Sequence, residues 1–289
     1  RRPRIRRGRI RRGRRIRISG LVRYPFLVLS LLLAAPGVLA YLGRRDLRSA
    51  IHFAVPFSLP FALTEPFFYP EYWRPEFLFD LADRIGFGIE DVLFVAALAA
   101  ITVVSYPLVA RRTLAPIAGE RTDLRARARR AGLLLAGVAA ITALAALASL
   151  PMIYGCLFAM VAGSAIAWLP RPDLRAPSVI GALVTTAIYG VTCLLLAALD
   201  PQVFHSVWRT RELTAVFVLG VPLEELLYGA ATGFAGTIFV PFVRGERFVP
   251  LSAPAAVSMI PASSPSRAPT REPIARSPGT RRAAPPRQS

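Results

Sequence analysis

The sequence predicts an all-α integral membrane protein of about seven transmembrane helices, and three observations predict it. Hydrophobic residues fill 54% of the 289 positions and charged residues only 18%, where a soluble domain carries about 25% charged residues. The mean hydropathy is +0.47. The 36 cationic residues are all Arg, and they gather in clusters that leave long stretches almost free of charge. An ionised group near the bilayer centre costs on the order of 2.5–3.5 kcal/mol even on lenient insertion scales, so this distribution is what lipid selects.

The net charge of +19 would suit nucleic acid, but the Arg runs flank apolar segments and suit anionic headgroups. The bilayer is therefore the expected partner, and nucleic acid is not. Cys156 and Cys193 lie in apolar runs without metal-ligand spacing, and His52 and His205 are far apart, so no metal site is expected.

Residues 1–20 form an Arg-rich leader without an apolar core, read either as a basic anchor at the membrane surface or as a stretch absent from the mature chain. The apolar spans that follow are 21–42, 51–68, 89–110, 131–150, 152–169, 179–199 and 221–243. A helix needs about 20 residues to cross the hydrocarbon core, and six spans meet this comfortably. The second carries Pro56, Pro60 and Pro66 and is the one expected to be broken or re-entrant. Residues 244–289, rich in Pro, Ser and Arg without periodicity, read as a disordered tail.

Loop charge sets the orientation. The loops at 43–48, 111–130 and 170–178 hold most of the interhelical Arg and, with seven spans, share one side with the tail. That side is assigned to the cytoplasm in a multi-pass protein of the cell membrane. The Arg-rich leader then falls on the outer side, against the rule.

Two distant stretches resemble each other. Tyr72-Trp73-Arg74 is followed by Ile89-Glu90-Asp91-Val92-Leu93-Phe94, and Val207-Trp208-Arg209 by Leu223-Glu224-Glu225-Leu226-Leu227-Tyr228. Trp precedes the first acid by 17 residues in one copy and by 16 in the other. Both acidic heads open a span, and four spans separate them, so both helices enter the membrane from the same side. The architecture implied is two parallel three-helix repeats, 21–110 and 151–243, joined by a basic loop and linking helix at 111–150. Parallel repeats tend to place a site at their interface.

Helical spacing puts Glu90 with Phe94, and Glu224 with Tyr228, one turn apart on a shared face, with Asp91 and Glu225 turned about 100° away. A buried carboxyl group retains its proton, and an aromatic face stabilises a cation. Protonating an alkene and holding the resulting carbocation needs both. Plainer readings compete: acids favour helix N-termini through the macrodipole, and Trp73 and Trp208 equally suit an interfacial aromatic belt. Duplication of the whole pattern weighs against the first. Glu65 ranks above Glu71 because it adjoins an apolar span. Gly229, Gly233 and Gly236 read as close helix packing.

At Pro70-Glu71-Tyr72-Trp73, Gly86-Phe87-Gly88-Ile89-Glu90-Asp91-Val92-Leu93-Phe94 and Pro222-Leu223-Glu224-Glu225-Leu226-Leu227-Tyr228, the sequence resembles the membrane-embedded lycopene cyclase family. That family occurs as paired small subunits in some bacteria and as fused forms in archaea and fungi, and the resemblance covers roughly residues 21–243. It implies redox-neutral cyclisation of the ψ ends of lycopene, or of a longer C50 carotenoid, with no cofactor. It also implies that Glu224 with Glu225, and Glu90 with Asp91, are the acidic pairs. One protonated member would donate to the terminal alkene and an ionised partner would remove a ring proton. Phe94 and Tyr228, with Trp73 or Trp208, would stabilise the cation, and Glu65 joins the candidate acids. Which acid plays which part stays open. The halves differ in that Val207 stands where the first half has Tyr72, and no Pro-Glu precedes it.

Other function classes remain on the sequence alone. A retinal protein is excluded because no Lys is present to form a Schiff base. A small transporter or proton channel using Glu90 and Glu224 as relays stays open. Both half-patterns lie in one chain, which argues against a need for a complementary subunit and leaves homo-oligomerisation open.

Overall fold

The computed structural model describes residues 23–210 and 213–251; the leader and the tail beyond Leu251 lie outside the described residues. The protein is mostly helical. Helix α1 (Pro25–Gly43) starts with Pro25 in its first turn, where a missing N–H leaves nothing unpaired. The second span departs from a regular helix. Helix α2 (Arg48–Ser58) gives way to a 3-10 segment, Leu59–Phe67. Eleven α-helical residues rise about 16 Å, roughly half the hydrocarbon core. Pro60 and Pro66 each remove an amide donor from the following turns.

A short helix α3 (Leu81–Ile85) precedes α4 (Ile89–Val109). Helix α5 (Leu124–Leu147) begins seven residues before the expected span, because Asp123 accepts the Ala126 amide at 2.8 Å and caps it within the basic loop. Then come α6 (Met152–Trp168), α7 (Arg175–Leu199), α8 (Val203–Val207) and α9 (Leu223–Arg244). Five helices are long and apolar enough to cross a membrane: α1, α4, α5, the stretch Pro172–Leu199 that contains α7, and α9. The expected seven therefore include two others, the interrupted second span and the 17-residue α6. Large apolar side chains such as Leu39, Leu124, Leu147 and Leu183 point outward, as lipid-facing residues do.

Helix α9 packs against α4, α6 and α7, while α1 packs on α4 and α5 on α6. The α7–α9 contact depends on missing side chains. A Cβ on Gly233 would lie 2.6 Å from Thr185 Cβ, and one on Gly236 2.7 Å from Thr102 Cβ. The glycines read from sequence as packing residues are packing residues, and they let α9 lie between α7 and α4.

The two ends of the bundle differ. At one end, strand β1 (Arg112–Pro116) pairs antiparallel with β4 (Glu246–Pro250), with Leu114 opposite Phe248. Residues 244–250, assigned from sequence to the disordered tail, instead finish α9 and form this strand, whose amide groups are paired by β1. Two ion pairs clamp the same end. Arg44 grips Asp46 at 2.8 Å and donates to the Arg112 carbonyl at 2.6 Å; Arg171 grips Asp173 at 2.7 Å and donates to the Glu246 carbonyl at 2.8 Å. The hydrogen bond from Arg44 holds the Asp46 carboxyl group below the usual carboxylate range. At the opposite end, where α4 and α9 begin, a small antiparallel pair, β2 (Phe217–Val218) with β3 (Val221–Pro222), leads into α9.

Candidate functional site

The two Trp-Arg stretches meet at the end where α4 and α9 begin. Trp73 and Trp208 form an isolated antiparallel bridge. The Arg74 amide donates to the Val207 carbonyl at 2.8 Å, and the Arg209 amide to the Tyr72 carbonyl at 2.9 Å. Both indoles are buried, with ring centroids 5.3 Å apart. The interfacial-belt reading is thereby corrected: each indole N–H is spent on an acid. Trp73 Nε1 donates to Glu65 Oε1 at 2.7 Å, and Trp208 Nε1 to Glu225 Oε1 at 2.8 Å.

A half-open cleft lies beside this bridge. Glu65, Asp91 and Glu225 supply its carboxyl groups, and Trp73, Phe94 and Tyr228 are among its rings. Phe94 and Tyr228 lie nearly parallel, at 17° and 6.1 Å. Phe26 packs edge-on against Trp73 at 4.2 Å and tilts onto Phe94 at 5.2 Å.

The acids differ in their surroundings. The Glu65 and Asp91 carboxyl groups lie within hydrogen-bond reach of one another, and Asp91 Oδ2 accepts the Gly88 amide at 2.6 Å. Glu225 is surrounded by donors: the Tyr72 hydroxyl at 2.5 Å and Trp208 Nε1 on Oε1, and the Tyr189 hydroxyl on Oε2. Glu90 and Glu224 are fully buried but do not line the cleft. Glu90 Oε1 accepts the Leu78 amide at 2.7 Å. Glu224 Oε1 accepts the Thr214 amide and hydroxyl at 3.0 and 2.6 Å and the Tyr154 hydroxyl at 3.0 Å. Each keeps its Oε2 without a partner among the described residues. These two acids tie loops to the heads of α4 and α9.

The cleft gathers other acid–ring pairs than those four residues apart. Glu90 with Phe94, and Glu224 with Tyr228, do not share the cleft; Asp91 with Phe94 and Glu225 with Tyr228 do. Both i,i+3 and i,i+4 partners are neighbours on a helix, and the contacts around the first turn decide which pair faces inward. Glu65 is buried and Glu71 exposed.

Tyr72, Tyr189 and Phe26 were not singled out as site residues, although Tyr72 stands in a quoted motif. Tyr189 carried a signal: it is the one hydroxyphenyl group in an otherwise apolar span, and in a dry bundle its hydroxyl needs a partner. Phe26 carried none.

Residues 151–243 match the model of the lycopene cyclase family. The match spans about a third of the chain and takes in Tyr189, Trp208, Glu224, Glu225 and Tyr228, so this region is similar to carotenoid cyclases. No curated protein and no solved structure matches the chain.

Proposed function

We propose that the protein is a carotenoid cyclase that closes ψ end groups of lycopene into β-rings by acid catalysis without redox change. The observation that carries the reading is the convergence of Glu65, Asp91 and Glu225 on one aromatic cleft. Two carboxyl groups in contact repel as anions, so Glu65 and Asp91 hold a proton between them. That proton passes to the terminal alkene and leaves a tertiary carbocation. A second alkene of the chain attacks it, forming the ring bond and moving the cation into the ring. Glu225 then takes a ring proton and the ring alkene forms, so the product is an isomer of the substrate. Three donors aimed at Glu225 complement a negative charge, and the faces of Phe94, Tyr228 and Trp73 stabilise the cation between the two steps. Trp208 acts through Glu225, which it orients. Glu90 and Glu224 hold the loops that close the site.

The chain crosses the membrane seven times, as two parallel repeats about an axis along the membrane normal. Several features support this. Helices α1, α4, α5, α6, α7 and α9, and the interrupted second span, alternate in sequence between the end holding the acids and the end holding β1 and β4. Leu114 pairs with Phe248, and Trp73 with Trp208, each with its counterpart in the other half. Arg111 and Gly245 both take positive φ before their strands, and the Arg44–Asp46 and Arg171–Asp173 clamps correspond. The Arg-rich loops gather at the end with β1 and β4, and by the positive-inside rule this end is assigned to the cytoplasm. Both halves line one cleft, so no complementary subunit is required.

The test is a pigment profile. The chain, with an initiator Met, is expressed in a bacterium that accumulates lycopene, and carotenoids are separated by chromatography. Conversion to γ- or β-carotene is expected. Unchanged lycopene, with the protein demonstrably in the membrane, refutes the lycopene reading; a C50 carotenoid is then the next substrate to offer, and ion or solute flux in liposomes the next assay.

A further inference from the structure

Resting on the cyclase reading, we propose that the cleft admits one substrate end at a time, laterally from the bilayer between the 3-10 segment Leu59–Phe67 and α6, so that a two-ended substrate is released after its first ring. The two acidic helices do not build two sites. Asp91 and Phe94 from α4, with Glu225 and Tyr228 from α9, line a single cleft, with the two rings stacked across it. One donor set and one acceptor set therefore serve both ends of a substrate in turn.

The inner side of the cleft is closed by Phe26 and Tyr189, each 1% exposed. Phe61, Ala62 and Thr64 of the 3-10 segment and Ile153 of α6 also line the cleft; Phe61 is exposed, while Ala62 and Ile153 are buried beneath. The 3-10 segment packs on α2 and α4, and α6 packs on α5 and α9, with no more than grazing contact between the two walls. Outward from this seam, Phe61, Leu63, Phe67 and Phe158 are all exposed, so the seam faces hydrocarbon. A polyene dissolved in lipid enters there without crossing water, whereas entry from the aqueous end would expose its apolar surface. The end group occupies the cleft, and the rest of a forty-carbon chain stays in the seam and the lipid beyond. Presenting the second end requires the whole molecule to withdraw and turn.

The full chain, with an initiator Met, is reconstituted in liposomes with lycopene in large molar excess, and products are followed in time. Monocyclic carotene in molar excess over the enzyme before bicyclic product appears, or monocyclic product alone, is expected. Bicyclic product rising from the first turnovers, with monocyclic carotene never exceeding the enzyme, overturns the inference while leaving the cyclase reading intact. Absence of any ring removes both. The portal is tested by narrowing it. Thr64→Trp, at the mouth, is expected to slow cyclisation by about 10-fold or more, since small misplacements of a reacting group have large rate effects. Leu63→Trp, on the same segment but outside the lining, should stay within about 2-fold. Both variants are compared at equal amounts of folded protein by thermal unfolding in detergent, and equal slowing of the two overturns the lateral route.

Discussion

Glu224 and Glu225 are adjacent in sequence but differ in surroundings, so their amide variants separate the proposed chemistry from mere burial of acids. In Glu225→Gln the amide oxygen still accepts from the Tyr72 hydroxyl and Trp208 Nε1, which both bond Oε1. The Tyr189 hydroxyl, now facing the NH₂ group, rotates to accept instead of donate. A net hydrogen bond contributes about 0.5–1.5 kcal/mol, so the fold should lose no more than about 1–3 kcal/mol. The chemical loss is larger: removing a general base forfeits about 10²–10⁴-fold in rate, or about 2.7–5.4 kcal/mol of barrier. In Glu224→Gln the amide oxygen keeps all three bonds, from the Thr214 amide and hydroxyl and from Tyr154, and the changed atom faces no protein partner among the described residues. Its loss in rate should stay within about 10-fold, below the lower bound for a lost base. The assay is the initial rate of ring formation per folded protein in lycopene-loaded liposomes, with thermal unfolding in detergent as the control. A Glu225→Gln enzyme within 10-fold of the parent, or equal losses in the two variants, would refute the assignment of Glu225 as the base.

On the acid side, Glu65→Gln and Asp91→Asn each remove a member of the proton-sharing pair, and each should lower the ring-forming rate by about 10²-fold or more; normal rates in both would move the donor elsewhere. Gly181→Ala places a Cβ 2.6 Å from Thr237 Cβ, so α7 must shift from α9 at a cost of about 1–3 kcal/mol, read as a lowered unfolding temperature in detergent. Acid stability should depend on Asp46. Its carboxyl group titrates lower in the folded chain than in the unfolded one because of the Arg44 hydrogen bond. The stabilisation is therefore complete above the unfolded value, about 3.9, and disappears as pH falls through the lower folded value. Unfolding midpoints measured from pH 5 downward should drop less steeply in Asp46→Asn than in the parent, and identical slopes would exclude the pair as a contributor.

Much of this arrangement was legible because a bilayer restricts what a sequence can do. Charge-free runs marked α1, α4, α6, α7 and α9 to within a few residues, since few other structures bury such segments. The prolines of the second span signalled its break but not its 3-10 form, which depends on packing against α4. Strands β1 and β4 are five residues each and become strands only when paired with one another across the chain. The acids themselves were visible as polar groups out of place in apolar helices. Which of them faces the cleft was not, because Glu90 and Asp91 differ by a rotation that only the surrounding loops settle. The amide of Leu78 takes one and that of Gly88 the other.

On the proposed mechanism, the differences between the halves let a duplicated pattern serve a reaction that needs an acid and a base. Glu65 stands eight residues before Trp73, and Asp200 stands eight before Trp208. In the first half the indole N–H goes to Glu65, which lines the cleft with Asp91, so this side gathers two carboxyl groups. In the second half Asp200 turns back on its own loop and accepts the Gln202 amide at 3.1 Å. The Trp208 N–H is therefore left for Glu225. Tyr72, where the second half has Val207, crosses between the halves and adds its hydroxyl to the same carboxyl group. Two identical halves would give two identical acids facing each other, each as ready to donate as to accept. Crowding carboxyl groups on one side and hydrogen-bond donors on the other separates these tendencies, and the proton then has a direction of travel across the substrate.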